Sequence, residues 1–117
     1  MLSIETDNKQ SVSVMKVKGR VDSETSLELD DALTGLLQQG TNQIVLNLQG
    51  VDFMSSAGLR AVVKAYQGAK KSGGDLRLAS VSEPVEIVLR TVGMMQMLRM
   101  YPTDQEAMAS FQGEVNK

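Results

Sequence analysis

The sequence predicts one α/β domain built on a mixed sheet of about five short strands, accompanied by about four helices. Three observations lead there. Segments rich in β-branched residues alternate with segments of helical periodicity. Ile44 to Leu48 is apolar at nearly every position, the pattern of a central strand buried on both faces. Glycines and capping residues stand at most of the changes of pattern.

Leu2 to Thr6 reads as a first strand and Asp7-Asn8-Lys9-Gln10 as a polar turn. Ser11 to Lys18 is β-rich, but its period-2 pattern slips between Val14 and Met15, which leaves its faces unassigned. The two segments form a hairpin. Gly19 ends the second strand. Asp22 or Ser23 caps a helix to about Gln38, with Leu29, Ala32, Leu33, Leu36 and Leu37 on one face. Gly40 stops it. After the apolar strand, a second helix runs from about Ala57 to Lys71, with Val62, Ala65, Tyr66 and Ala69 inward, and Gly73-Gly74 breaks it. Asp75 to Ala79 is a short strand. Ser82 caps a third helix, with Pro84 in its first turn and Val85, Val88, Leu89 and Val92 as its stripe; Gly93 ends it. Gln96 to Met100 is a last strand. Thr103-Asp104-Gln105-Glu106 is a capping box for a final helix to about Gln112.

The order β-β-α-β-α-β-α-β-α requires parallel crossovers after the hairpin. Periodicity does not choose between helices on both faces of the sheet and helices mainly on one. With no linker and no repeat, residues 1–112 form a single domain and 113–117 a frayed tail.

Composition removes several function classes. The chain has 117 residues and no Cys, so disulfides and thiolate chemistry are excluded, which suits a reducing cytoplasm. It has no His, which rules out a Ser-His-Asp triad and a His-ligated zinc. No Asp-x-Asp-x-Asp-Gly loop is present. The net charge of −2, with four aromatic residues outside any basic cluster, argues against nucleic acid. No stretch approaches the roughly 18 apolar residues of a membrane span, and Met1 to Gln10 is polar, without a secretory pattern. Composition leaves a carboxylate-only magnesium or calcium site open, but no catalytic residue, metal or cofactor is expected.

The most informative stretch is Val51-Asp52-Phe53-Met54-Ser55-Ser56-Ala57-Gly58-Leu59. The apolar strand leads through a short polar turn to two serines, and helical periodicity begins at once. One serine has to cap that helix, and by spacing Ser56 is the N-cap. The apolar approach from Val51 to Met54 also leaves a hydroxyl beside apolar surface at the positive end of a helix, where a phosphate is tolerated. Asp22, in Gly19-Arg20-Val21-Asp22, is either a helix cap or a polar contact beyond the same strand ends. On that rim its expected weight falls on a complex more than on the fold. Met94, Met95, Met97 and Met100 are core filler or an adaptable partner surface. Arg60, Lys64 and Lys70-Lys71 read as solvated helix faces.

Gly19-Arg20-Val21-Asp22, Ile44 through Leu59 and Gly73-Gly74-Asp75-Leu76-Arg77-Leu78 together resemble a STAS domain of the bacterial anti-sigma factor antagonist type, over about Ile4 to Ser110. The resemblance implies a mixed sheet with helices packed mainly on one face. It implies a cytoplasmic, non-enzymatic regulator of transcription that binds an anti-sigma factor, itself a serine kinase of the histidine-kinase-like ATPase fold, and so releases a sigma factor. Phosphorylation at the start of the second helix would end that binding, and a PP2C-type phosphatase would reset it. By register against Gly58-Leu59 the acceptor is Ser56, with Ser55 a competing acceptor. The partner surface would carry Asp22, Met54, Ser55, Ser56, Ala57, Gly58 and Arg60. Three positions depart from the common pattern: Ser55 where Asp often stands, Ala57 where Ser or Thr is frequent, and Arg60 where Gly is frequent. The alternative is a STAS scaffold or a nucleotide-binding module without a phospho-switch, which would have no need of an acceptor serine.

Overall fold

The computed structural model describes residues 2–9 and 11–112; the expected frayed tail at 113–117 lies outside them. Five strands and four helices alternate as expected: β1 (Ser3–Lys9), β2 (Val12–Val21), α1 (Ser26–Gln38), β3 (Gln43–Met54), α2 (Ser56–Lys71), β4 (Asp75–Ala79), α3 (Glu83–Thr91), β5 (Met100–Tyr101) and α4 (Asp104–Gln112). The sheet order is β1-β2-β3-β4-β5. β1 is antiparallel to β2, and β2 through β5 are parallel.

Three helices cover one face. Leu29, Leu33 and Leu36 of α1, Leu59, Ala61, Val62 and Ala65 of α2, and Val85 and Leu89 of α3 close over Met15, Val17, Ile44, Leu46, Leu48, Leu76 and Leu78. α4 lies on the other face, where Ala107 and Phe111 cover Val12, Val14, Val45 and Ala79. This explains the apparent slip in β2. Val12 and Val14 face α4 while Met15 and Val17 face α1 to α3, so the alternation is regular and both faces are buried.

Several boundaries differ from expectation. Asp7, Asn8 and Lys9 are strand, because pairing continues to Lys9 opposite Val12 and an edge strand tolerates polar side chains. Gly19 does not end β2. It sits at φ 121°, and the strand runs on to Val21. β3 likewise does not stop at Leu48 or turn before the serines. Lys16 faces Asn47 but Lys18 faces Gly50, and Gly19 faces Val51 but Arg20 faces Phe53. Each shift is an extra residue in β3, a bulge that bends the strand without ending its pairing. Gly50 fits because a β-carbon there would lie 2.6 Å from Lys18 Cγ.

Residues 96–98 turn instead of forming strand, and β5 is only Met100–Tyr101. Met94, Met95 and Met100 pack against the main core while Met97 is exposed. Val92 is also exposed, since it lies past the end of α3, so the stripe of that helix stops at Leu89. Ser82 stands at the N-cap of α3, but its hydroxyl donates to the Val51 carbonyl and ties the helix to β3. Thr103 Oγ1 accepts from Glu106 N at 3.1 Å, one half of the expected capping box.

Candidate functional site

The two bulges carry β2 and β3 side by side to a common end, with Val21 opposite Met54. Ser55 N then donates to the Val21 carbonyl at 2.8 Å. The turn after β2 and the start of α2 are thus neighbours at the carboxyl ends of parallel strands, where α/β folds place their sites. Asp22 and the serine pair, chosen separately from the sequence, meet here.

The helix cap is Ser55, not Ser56. Ser55 has extended backbone (φ −81°, ψ 169°), and its Oγ accepts from Gly58 N at 3.2 Å. Because β3 keeps its pairing through Met54, the chain enters the helix one residue earlier than spacing suggested. Ser56 becomes the first helical residue. It is exposed, and its hydroxyl has no hydrogen-bond partner among the described residues. The first turn of α2 has no acidic side chain, so nothing there offsets the positive end of the helix dipole. The two serines have divided the work: one holds the helix start, and the other presents a free hydroxyl.

Met54 and Gly58, expected on the partner surface, are buried. The bulge at Asp52–Phe53 turns Met54 toward the helices and Phe53 toward solvent. Gly58 packs on the strand ends: a β-carbon there would lie 2.5 Å from both Met54 Sδ and Val21 Cγ1. These two residues support the site from beneath. The group they leave outside was missed in the sequence. Phe53 is 37% exposed, and the Arg20 guanidinium stacks 4.0 Å from its ring centre. Only the bulged register exposes it, so alternation alone points to the wrong neighbour.

Asp22 caps a turn that precedes α1. Its Oδ1 accepts from Glu24 N at 3.0 Å, from Thr25 N at 2.9 Å and from Thr25 Oγ1 at 3.0 Å. In return Thr25 Oγ1 accepts from Asp22 N at 2.9 Å. The backbone N–H and then the hydroxyl of Thr25 hold the Asp22 carboxyl below the usual aspartate range. Regular helix begins only at Ser26. The expectation that Asp22 matters little for the fold is therefore corrected: its carboxylate organises the turn.

Two shallow depressions flank the start of α2. One, of about 270 Å³, is lined by Ser56, Leu59, Arg60, Val63, Val92 and Met94. The other, of about 230 Å³, lies between α1 and α2 and includes Leu27, Asp30, Ala57, Arg60 and Lys64. Leu27 is 66% exposed. Ser56 is thus bordered by apolar groups and by Arg60. A larger hollow of about 390 Å³ lies by β1, β2 and α4, lined in part by Glu5, Asp7, Lys9, Lys16 and Asp104. Among the described residues no cluster of acidic side chains is gathered to hold a metal ion, and no helix is long and apolar enough to cross a membrane.

The STAS domain family model matches residues 3–107. The anti-sigma F factor antagonist of Paenibacillus polymyxa is 25% identical over 115 residues, covering 95% of this chain and 96% of the relative. The anti-sigma-B factor antagonist of Staphylococcus aureus is 30% identical over 97 residues, covering 83% and 90%. The crystal structure of an anti-sigma factor antagonist from Mycobacterium paratuberculosis superposes with a TM-score of 0.87 at 21% identity, covering 96% of this chain and 95% of that one.

Proposed function

The chain belongs to the STAS domain family, with anti-sigma factor antagonists among its relatives, and on that premise we propose that it is such an antagonist, switched by phosphorylation of Ser56. The unmodified form binds an anti-sigma factor that is also a serine kinase of the histidine-kinase-like ATPase fold, and thereby frees a sigma factor in the cytoplasm. The observation that carries this reading is the exposed, uncommitted hydroxyl of Ser56 beside the committed hydroxyl of Ser55. A transfer enzyme needs a hydroxyl it can reach. Ser55 is half-buried and engaged with Gly58 N.

In the transfer, Ser56 Oγ attacks the γ-phosphorus of ATP. The new Oγ–P bond forms as the bond to the β–γ bridging oxygen breaks. ADP leaves with that electron pair, and the hydroxyl proton passes to a base on the kinase. A PP2C-type phosphatase reverses the modification with water as nucleophile, releasing inorganic phosphate. The helix end tolerates a charge of roughly −1.5 to −2, so the fold persists while the surface changes. A partner fitted to a neutral hydroxyl beside Leu59, Val63, Val92 and Met94 has to desolvate that charge on docking. Arg20, Asp22 and Arg60 form the polar part of the same rim.

The test is to capture the kinase from the native cell with wild type and Ser56→Asp as baits. The captured kinase is then incubated with the chain and ATP, and phosphopeptides are mapped. One phosphate at Ser56 is expected. Modification at Ser55 alone would overturn the assignment, and no modification by a proven binding kinase would overturn the switch.

A further inference from the structure

Arg60 follows Ser56 by four residues on α2, so the two lie one turn apart on the same side of the helix. Both line the 270 Å³ depression, whose other walls are Leu59, Val63, Val92 and Met94. Arg60 is the charged member of that set, and no carboxylate lines the depression among the described residues. The Arg60 guanidinium has no ion-pair or hydrogen-bond partner among the described residues. Asp30, which shares the second depression with Arg60, is taken by Lys64 Nζ at 3.2 Å. Among the described residues, an unpaired arginine therefore stands one turn from an unpaired hydroxyl.

We propose that Arg60 is a positioning residue for the phosphorylated state, closing on the phosphate of phosphoserine 56 from within the same chain; this rests on the reading of Ser56 as the acceptor. The chemistry fits. A guanidinium offers paired N–H donors that match two phosphate oxygens, and its weak hydration favours such contacts at a partly apolar surface. The orientation, anion toward the helix start and cation one turn later, is the favourable one. Val92 and Met94 line the same depression and give it an apolar wall. The clamp favours the fully ionised phosphate, whose second ionisation otherwise lies near pH 6. It keeps more of the charge that repels the partner at neutral pH, and it fixes the direction in which that charge points. Arg20, Asp22 and Asp52 are the other charged residues at these strand ends, and all three are retained in the comparison below.

The full chain is prepared with phosphoserine incorporated at position 56 during translation, with Arg60, R60A or R60K. Phosphorus NMR titration follows the second ionisation of the phosphate. R60A is expected to raise that pKa by about 0.15–0.4 unit, the size of an i,i+4 ion pair expressed as a pKa shift. R60K is expected to recover part of the shift, since it keeps the charge and loses the fork. A merely structural Arg60 would leave the titration unmoved. Identical pKa values in all three, within about 0.1 unit, would overturn the clamp. Since no kinase is used, a chain that its kinase fails to modify would defeat the proposed function and leave this result standing on its own.

Discussion

Replacing Ser55 by alanine removes the oxygen that accepts from Gly58 N. Loss of an N-cap side chain costs about 0.5–2 kcal/mol, and the 3.2 Å length of this bond places it near the middle, at about 1 kcal/mol. Ser56→Ala removes an exposed hydroxyl without a partner among the described residues, and alanine is the better helix former, so the change stays within about 0.5 kcal/mol of zero. With a urea m-value of about 1.5 kcal/mol/M for a domain of this size, the unfolding midpoint falls by roughly 0.7 M for Ser55→Ala and by less than about 0.3 M for Ser56→Ala. Ser55→Asp should restore most of the loss, since aspartate caps as well and its charge suits the helix start. Urea titrations of the four proteins, followed by far-ultraviolet circular dichroism, decide it. A midpoint for Ser56→Ala at or below that of Ser55→Ala would refute the division of labour between the serines, and with it the argument for which hydroxyl is free.

Gly58→Ala should destabilise the chain by about 1–3 kcal/mol in the same assay despite the better helix propensity of alanine, because the new methyl meets Met54 and Val21; a stabilised variant would show that the packing beneath the site is looser than described. Asp22 should titrate below an ordinary aspartate by carboxyl-carbon NMR, and Thr25→Val, which removes one donor, should move it upward; no movement would remove Thr25 as the cause. A folded pKa below the unfolded value means that the Asp22 contribution to stability is present above the unfolded pKa. It is lost as pH falls through the lowered folded value, so Asp22→Asn should flatten the acid limb of the stability curve and leave its slope near neutrality unchanged. Phe111→Ala should cost about 3 kcal/mol by thermal unfolding, since the ring is buried between α4 and the sheet and lies under the Arg77 guanidinium; a loss below about 1 kcal/mol would mean that α4 adds little to the core.

The order of elements was legible in the sequence because each helix has an apolar stripe and the central strand an unbroken apolar run. Asp22 and the serine pair were legible because capping residues at strand-to-helix turns mark the ends where sites gather. What stayed hidden depends on pairing partners. The bulges at Lys16–Lys18 and Gly19–Arg20 keep β2 and β3 together past residues that read as turns. That register decides that Ser55 caps, that Met54 is inside and that Phe53 is outside. Buried Arg77 was hidden for the same reason. Nothing adjacent in sequence shows that its charge meets Asp75 Oδ2 at 2.9 Å, or that α4 brings Ser110 and Phe111 to it. Asp7, Asn8 and Lys9 look like a turn because the composition of an exposed edge strand resembles that of a loop.

The central claim is that charge on Ser56 decides whether the partner stays bound. Calorimetric titration of the captured kinase, with ADP present, against the unmodified chain and the chain phosphorylated at Ser56 measures this directly. The account predicts binding at least about 100-fold weaker for the phosphorylated chain, roughly 2.8 kcal/mol at 1.4 kcal/mol per decade, with Ser56→Ala bound like the unmodified chain and Ser56→Asp in between. Equal affinity for the unmodified and phosphorylated chains would contradict it and favour a STAS scaffold without a phospho-switch.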